Sequence, residues 1–285
     1  MRLSKKNKSA SELQIRIVKF LLYLGQKTIF GRGQLRKKLI VLINYIIGYG
    51  SIKESRFICN VNSVPFNFYN DKLTFIKIYF GRSNLDEIDF IKKNSPNKSV
   101  FIDIGSNMGF YTQFIAAIIE KKRQIKIISI DALPINNFRL KENLRLLKKK
   151  IPNIFSLVKI KNCAVGDQNT KLNLDYSHGL ANAFITKNKK DISVKSRKLI
   201  NIVNEERLKY ITNLKIDIEG YEDKALKPFF ETAPITMYPE NIVIEYTSHL
   251  EWEDKDFVNY LNNKGYRQII KTRGNLCLSL SSNKV

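Results

Sequence analysis

Residues 100–111, VFIDIGSNMGFY, run an apolar strand straight into an acid and two glycines four positions apart. Val100–Ile104 suits a parallel strand covered on both faces, because such strands read as near-continuous apolar runs. Gly105 and Gly109 remove side chains where the backbone must turn sharply and come close to a ligand. Phe110–Ile119 (FYTQFIAAII) continues as a helix, which completes a strand, glycine turn and helix. In open α/β sheets, ligands sit at the carboxyl ends of strands beside helix N-termini. This segment therefore predicts an α/β fold and a small-molecule site within it.

The remaining chain repeats the same order. Ile125–Ile130 (IKIISI) predicts a second strand ending at Asp131, and Ile135–Lys149 a helix closed by Pro152. Ile154–Cys163 is expected as the third strand, Leu214–Ile218 as the fourth with a helix over Tyr221–Phe230, and Ile242–Tyr246 as the fifth. A helix over Lys255–Lys264 and two strands near 266–271 and 275–280 follow. Alternating strands and helices imply a doubly wound, mostly parallel sheet with an antiparallel finish. The stretch 170–200, with LNLDYS and DISVKSRKL, is expected as an inserted hairpin near the site. Upstream, RFICNV, VPFNFY and LTFIKIYF within 56–80 alternate like a β-hairpin, with a turn at Asn70–Asp71.

The 285 residues carry a formal charge of +23, and that charge is uneven. Residues 1–56 hold 13 Lys/Arg against 2 Asp/Glu, a net +11. Residues 11–49 predict two amphipathic helices broken around the GRG of 31–33. Two readings stand: a helical layer packed on the main domain, or a face for a membrane surface or an acidic partner. The overall basicity likewise reads as a solvated surface inflated by codon bias or as attraction to anionic partners. Leu13–Leu24 is interrupted by Arg16 and Lys19, and Leu39–Tyr49 is about half a membrane span. Neither predicts a transmembrane helix, and no cleavable signal peptide is evident. Cys59, Cys163 and Cys277 form no CxxC pair and suit core packing in a reducing compartment. A cytoplasmic protein, at most peripheral to a membrane, is the expectation.

The spacing after Asp103 excludes two phosphate-binding loops. A dinucleotide turn needs G-x-G-x-x-G, but Ser106 and Asn107 stand where its middle glycine would fall, and no G-x-x-x-x-G-K-[ST] occurs. A ligand without a pyrophosphate fits better, and an acid at the strand tip suits a cationic one. Asp131, 28 residues later, ends the second strand, where a carboxylate can accept hydrogen bonds from ribose hydroxyls. In LKIDIEGYE (214–222), Asp217 and Glu219 share one side if the strand continues through them. Burying both is costly without a compensating ligand or cation, and a helix cap accounts for only one. Glu245 ends IVIEY. Four strand tips on one edge of the sheet thus carry acids, an arrangement that leaves a bound Mg²⁺ open without naming a ligand set.

These segments together resemble the FkbM family of S-adenosylmethionine-dependent methyltransferases. VFIDIGSNMGFYT, ISIDALPINNFRLKENLRL, NCAVGD, LKIDIEGYE and NIVIEYT match in order and spacing over about residues 60–280. One departure is Asp131-Ala132, where the family usually has Glu-Pro. The resemblance implies a Rossmann-like class I methyltransferase sheet over 56–285, with 1–55 as a basic amphipathic helical extension. It implies S-adenosyl-L-methionine as cofactor, its methionine part and sugar wrapped by Asp103, Gly105, Ser106, Asn107 and Gly109 with Phe110 and Tyr111 opening the helix. Asp131 with Ala132 would take the ribose, Ala164 and Val165 would lie near the adenine, and Asp217 and Glu219 would face the methyl group and acceptor.

The sulfonium methyl is already activated, so the protein must align the acceptor and remove its proton. Candidate bases are Asp217, Glu219, Glu245 and His178, the last in the loop SHGLANAF; His249, the other histidine, is a weaker one. The resemblance favours a sugar, glycan or secondary-metabolite hydroxyl as acceptor. No Asn-Pro-Pro-Tyr-like segment speaks for amide or nucleobase nitrogen. A nucleic-acid methyltransferase, supported by charge alone, and a non-catalytic glycan- or membrane-associated protein on the same fold are the alternatives.

Overall fold

The structure is a computed structural model and describes residues 11–27, 33–47, 55, 57–69, 84–119, 124–175, 184–186 and 192–281. The chain divides into two compact units, Met1–Arg82 and Ser83–Val285.

The first unit contains two helices, α1 (Glu12–Lys27) and α2 (Gly33–Ile47), and the strands β1 (Phe57–Val61) and β2 (Val64–Phe68). Ser11 and Gln14 cap α1 reciprocally: the Ser11 amide donates to Gln14 Oε1 (2.7 Å) and the Gln14 amide to Ser11 Oγ (3.3 Å). Gln14 Nε2 also donates to the Ile46 carbonyl at 2.8 Å, tying the start of one helix to the end of the other. Val18 and Leu22 of α1 and Leu39, Ile43 and Ile47 of α2 are buried. The β1–β2 hairpin turns at Asn62–Ser63, both at positive φ (46° and 68°), the backbone hand that matches strand twist. The expected third strand, LTFIKIYF, and the Asn70–Asp71 turn lie outside the described residues, apart from Tyr69 just before them.

The second unit begins with α3 (Asn84–Lys93), β3 (Lys98–Ile104), α4 (Phe110–Ile119), β4 (Gln124–Asp131) and α5 (Pro134–Leu147). It continues with the short α6 (Ile154–Leu157), β5 (Val158–Asn162), β6 (Ala164–Val165), β7 (Thr170–Asp175), β8 (Phe184–Thr186), β9 (Ile192–Arg197) and α7 (Leu199–Glu205). β10 (Asn213–Ile216), α8 (Glu222–Thr232), β11 (Asn241–Glu245), α9 (Phe257–Asn263), β12 (Tyr266–Lys271) and β13 (Asn275–Leu280) complete it.

Seven strands form one sheet in the order β12-β13-β11-β10-β3-β4-β5, with β13 antiparallel to both neighbours and the other pairs parallel. The even-numbered residues Ile102, Ile104, Ile128, Ile130, Leu214, Ile216, Ile242 and Ile244 pack on one face with Leu226 and Phe229 of α8 and Leu199, Ile202 and Val203 of α7. The odd-numbered positions include the buried polar residues Asp103, Ser129 and Lys215. One face of the sheet is therefore an ordinary apolar core, and the opposite face carries buried charge. A second sheet, ordered β6-β9-β7-β8, comes from the insertion and packs Leu174 and Val194 on Leu133.

Three expectations need correction. Ile154–Cys163 is not one strand: 154–157 makes a helical turn, with the Leu157 amide bonded to the Asn153 carbonyl, and only Val158–Asn162 pairs with β4. Short apolar runs read equally well as strand or buried helix, and the burial of Ile154 decided this one. DISVKSRKL is not all strand, because β9 ends at Arg197 and Leu199 opens α7, with Leu199, Ile202 and Val203 buried at helical spacing. The insertion is more than a hairpin, since β7 pairs with both β8 and β9 and β6 extends the sheet. Helix α3 was not anticipated. Its acids Asp86 and Glu87 in the first turn and Lys92 and Lys93 in the last match the helix dipole.

Candidate active site

The sheet order reverses between β3 and β10, and at that point of an open α/β sheet ligands bind. Both strands end there. The Asp217 amide donates to the Ile104 carbonyl at 3.1 Å, and the amides of Gly105 and Ser106 both donate to the Ile130 carbonyl of β4 (2.9 and 3.0 Å). The turn is thereby pinned to the tips of two strands. Gly105 sits at φ +71°, and a Cβ there would lie 1.8 Å from the Asp217 carbonyl oxygen. The backbone that leaves β10 occupies the space a side chain would need. Gly109 (φ +85°) is constrained in turn by Leu140 of α5, whose Cδ1 would lie 2.2 Å from a Cβ at that position.

Asn107 also has positive φ (53°), which asparagine tolerates, and its Oδ1 accepts the Met108 amide at 2.7 Å. The Asn107 amide donates to Asp131 Oδ2 at 2.7 Å. Asp131 Oδ1 accepts from the Leu133 amide (2.9 Å) and from Asn136 Nδ2 (3.1 Å). Three of its roughly four lone-pair positions are thus filled by the chain. Burial nonetheless pushes the Asp131 carboxyl above its ordinary pKa. Ala132 and Ala164 are half-buried against the Leu133–Leu174–Val194 cluster, whereas Val165 faces the main core. Phe110 and Tyr111 are buried, with Phe110 edge-on to Phe114 at 5.1 Å.

The centre of the site is a residue that strand patterning left unremarked. Lys215, in the middle of β10, is 1% exposed. It lies opposite Asp103 in the β10–β3 register. Its ammonium is 3.3 Å from Asp217 Oδ2 and 3.8 Å from Asp103 Oδ1, donates to the Gly105 carbonyl at 3.2 Å, and stands 5.1 Å over the Tyr111 ring. Burial alone would lower its pKa. The attraction of Asp217 and Asp103 outweighs burial and leaves the ammonium above its usual value. Asp103 is fully enclosed: Oδ2 accepts the amide and the hydroxyl of Thr112 (3.2 and 2.7 Å), and that hydroxyl also meets Ser129 Oγ at 2.6 Å. Burial raises the Asp103 carboxyl despite the lysine. The sequence signal for Lys215 was present, a lone cation inside the apolar run LKIDI.

Asp217 and Glu219 do not share a strand face, because β10 ends at Ile216 and Glu219 adopts φ +56° ahead of Gly220 at +95°. Glu222 holds that bend. Its Oε1 accepts the Ile218 amide at 2.8 Å, and its Oε2 accepts the Gly220 amide (3.1 Å) and the indole N–H of Trp252 (2.6 Å). Burial pushes Glu222 up to about 7, although those bonds oppose the shift. Glu245, at the tip of β11, accepts the hydroxyls of Thr247 and Ser248. Burial first, and then repulsion from Asp217, push it to about 7. His249 donates Nδ1–H to the Tyr246 carbonyl at 2.6 Å and stacks on the Tyr246 ring. His178 lies outside the described residues. Among the described residues, no group of three His, Cys, Asp or Glu side chains is arranged to hold a metal ion.

The structure therefore brings Asp103, Lys215, Asp217 and Glu245 together at the switch point and sets Asp131 with Asn107 on the β4 side. A seven-stranded sheet in this order, with its penultimate position antiparallel and a glycine turn after the central strand, defines a class I methyltransferase fold. The chain belongs to the FkbM methyltransferase family, whose FkbM domain matches residues 103–268. A solved FkbM methyltransferase from Methylobacillus flagellatus KT is 18% identical, with a TM-score of 0.46 over 74% of this chain; the chain spans 55% of that protein. CalS11, a TDP-rhamnose 3'-O-methyltransferase of calicheamicin biosynthesis, is 10% identical with a TM-score of 0.47, covering 98% of this chain and 99% of that one. Human methyltransferase 10 domain containing protein is 9% identical with a TM-score of 0.45, covering 78% and 90%. No curated protein matches in sequence.

The family implies S-adenosylmethionine as methyl donor, and the residues present suit it. Among the described residues, Ser106 Oγ is buried in the turn without a hydrogen-bond partner, and Asp103 Oδ1 has no donor beyond the lysine 3.8 Å away. The carboxylates of Asp103, Asp131, Asp217 and Glu245 outnumber the single buried ammonium, a balance that favours a cationic ligand.

Proposed function

We propose that this chain transfers the methyl group of S-adenosylmethionine to a hydroxyl oxygen of a sugar, a glycan or a secondary metabolite. The observation that carries the reading is the pair Asp217 and Glu245. Asp217 stands beside the glycine turn and Glu245 at the tip of the next strand, held at about 7, where a proton can be taken near neutral pH.

In this reading Asp103, Gly105, Ser106, Asn107 and Gly109 hold the methionine part of the cofactor, with Phe110 and Tyr111 beneath the turn. Asp131 and Ala132 serve the ribose, and Ala164 and Val165 the adenine side. Bound cofactor supplies a sulfonium-activated methyl group. The protein's own contribution is then to orient the acceptor hydroxyl in line with that methyl and to accept its proton. Asp217 and Glu245 are the geometric choices for that base, with Glu219 on the same bend. Lys215 holds the Asp217 carboxylate in place through its ammonium 3.3 Å away, as a positioning residue.

Calorimetry of the full chain with S-adenosylmethionine, followed by transfer of a labelled methyl group to a panel of nucleotide sugars, oligosaccharides and RNA, tests the proposal. Labelled sugar or glycan supports it. Label in RNA, with a steep loss at high salt, favours a nucleic-acid methyltransferase instead. Absence of cofactor binding returns the chain to a non-catalytic role. Asp217→Asn is expected to keep cofactor affinity and abolish transfer, and unchanged transfer removes Asp217 from its role.

A further inference from the structure

Helices α1 and α2 each carry two apolar lines, one buried and one exposed. In α1, Val18 and Leu22 are buried, yet Leu13, Ile17 and Phe20 form a second line at i, i+4 and i+7 that faces outward, with Leu13 67% and Phe20 59% exposed. Tyr23, Arg16 and Lys19 flank this line. In α2, Leu39, Ile43 and Ile47 are buried, while Val41, Leu42 and Tyr45 are exposed, Tyr45 at 87%, and interleave with the exposed Lys37 and Lys38. Large aliphatic and aromatic side chains held outward in rows on a folded surface mark an interaction site.

We propose that this helical pair docks on an anionic lipid bilayer surface, its exposed apolar rows dipping into the headgroup–acyl boundary. The inference is independent of the methyl-transfer reading. Charge selects the occupant. Residues 1–56 hold 13 Lys/Arg and 2 Asp/Glu, so a second copy of this chain would set +11 against +11, whereas anionic headgroups attract each cation near the surface. Nucleic acid would use the lysines and the aromatic rings, but it leaves Leu13, Ile17, Val41 and Leu42 without partners. The pattern is that of an interfacial helix, with aliphatic and aromatic residues on one side and Lys/Arg beside them. At 16 and 15 residues the helices are about 24 and 22 Å long, short of a bilayer core. Among the described residues no helix is long and apolar enough to cross.

The test is flotation of the full chain with vesicles of phosphatidylcholine alone and of phosphatidylcholine mixed with phosphatidylglycerol. Binding is expected on the mixed vesicles, weakening as salt rises. Phe20→Glu is expected to lower the partition coefficient about tenfold or more, because it replaces a ring that would enter the bilayer by a charge. Lys37→Glu with Lys38→Glu should remove the preference for anionic lipid. All these positions are exposed, so an unchanged circular-dichroism melt confirms that the variants fold. Equal or absent partition on both vesicles overturns the proposal. So does a concentration-dependent dimer, seen by light scattering, that Phe20→Glu dissolves. Retention of RNA that salt alone releases, with no vesicle binding, assigns the face to nucleic acid instead.

Discussion

Lys215 and Asp103 face each other across β10 and β3, the ammonium 3.8 Å from one carboxylate and 3.3 Å from the next one along its own chain, Asp217. A fully enclosed cation therefore bridges the strand that opens the glycine turn and the strand that ends at Asp217. Removing one partner of a buried ion pair costs far more than the pair contributes, because the remaining charge is left in low dielectric.

Lys215→Met should destabilise the fold by about 3–5 kcal/mol at neutral pH. The loss should shrink in acid. Burial already holds the Asp103 carboxyl above its ordinary value, and without the ammonium that opposes this shift it rises further, so the folded chain binds a proton that the unfolded chain does not. Its relative stability then grows as pH falls toward 5. Urea unfolding at pH 8 and pH 5 measures the difference; an equal loss at both would assign the lysine a packing role only.

Gly105→Ala places a Cβ 1.8 Å from the Asp217 carbonyl at a left-handed φ, whereas a Cβ at Gly274 would meet nothing nearer than Thr247 Cγ2 at 3.8 Å. The first substitution should cost about 3 kcal/mol or more and abolish cofactor binding, and Gly274→Ala should stay within about 0.5 kcal/mol. Thermal melts and calorimetry with S-adenosylmethionine compare the two.

Glu222→Gln sets an amide donor against N–H donors, since the amides of Ile218 and Gly220 and the indole of Trp252 all donate to Glu222. A loss of about 1–3 kcal/mol is expected. Trp252 is the only tryptophan of the chain, so its fluorescence reports directly on that bond. An unshifted emission maximum together with unchanged stability would show that the bend holds without Glu222.

Glu245 titrates at about 7 in the folded chain, against 4.5 for an unperturbed glutamate. A raised folded-state pKa means stability that is present below the unfolded value and lost as pH rises through 7. Glu245→Gln imitates the protonated acid. It should nearly match the wild type at pH 4.5 and exceed it by about 3 kcal/mol at pH 8, while lowering methyl transfer. Transfer by the wild type should rise through pH 7 as the base ionises. A flat profile between pH 6 and 8 would remove Glu245 from proton transfer.

Much of the parallel sheet was legible in the chain, because each buried strand is an apolar run ending in an acid or a glycine. The final strands 266–271 and 275–280 fall where their patterns put them. The failures share a cause. IFSL (154–157) and LINIV (199–203) are short apolar stretches whose period is ambiguous, and the surfaces they meet made them helical. Lys215 and Glu222 are not legible as buried groups for a related reason: neither a lone cation in an apolar run nor an acid in the charged stretch EGYEDK carries a sign of the partners that bury it.

The sequence alone determined the glycine turn and the order of the strand-tip acids, since those follow from local backbone geometry and burial. Only the tertiary structure decided why Gly105 must be glycine. The reason is the Asp217 carbonyl, brought 112 residues along the chain to the neighbouring strand end. It also decided that Asp217 and Glu219 leave the strand, and that Lys215 is the cation compensating the acids, because pairing between β3 and β10 is a long-range choice that no local pattern encodes.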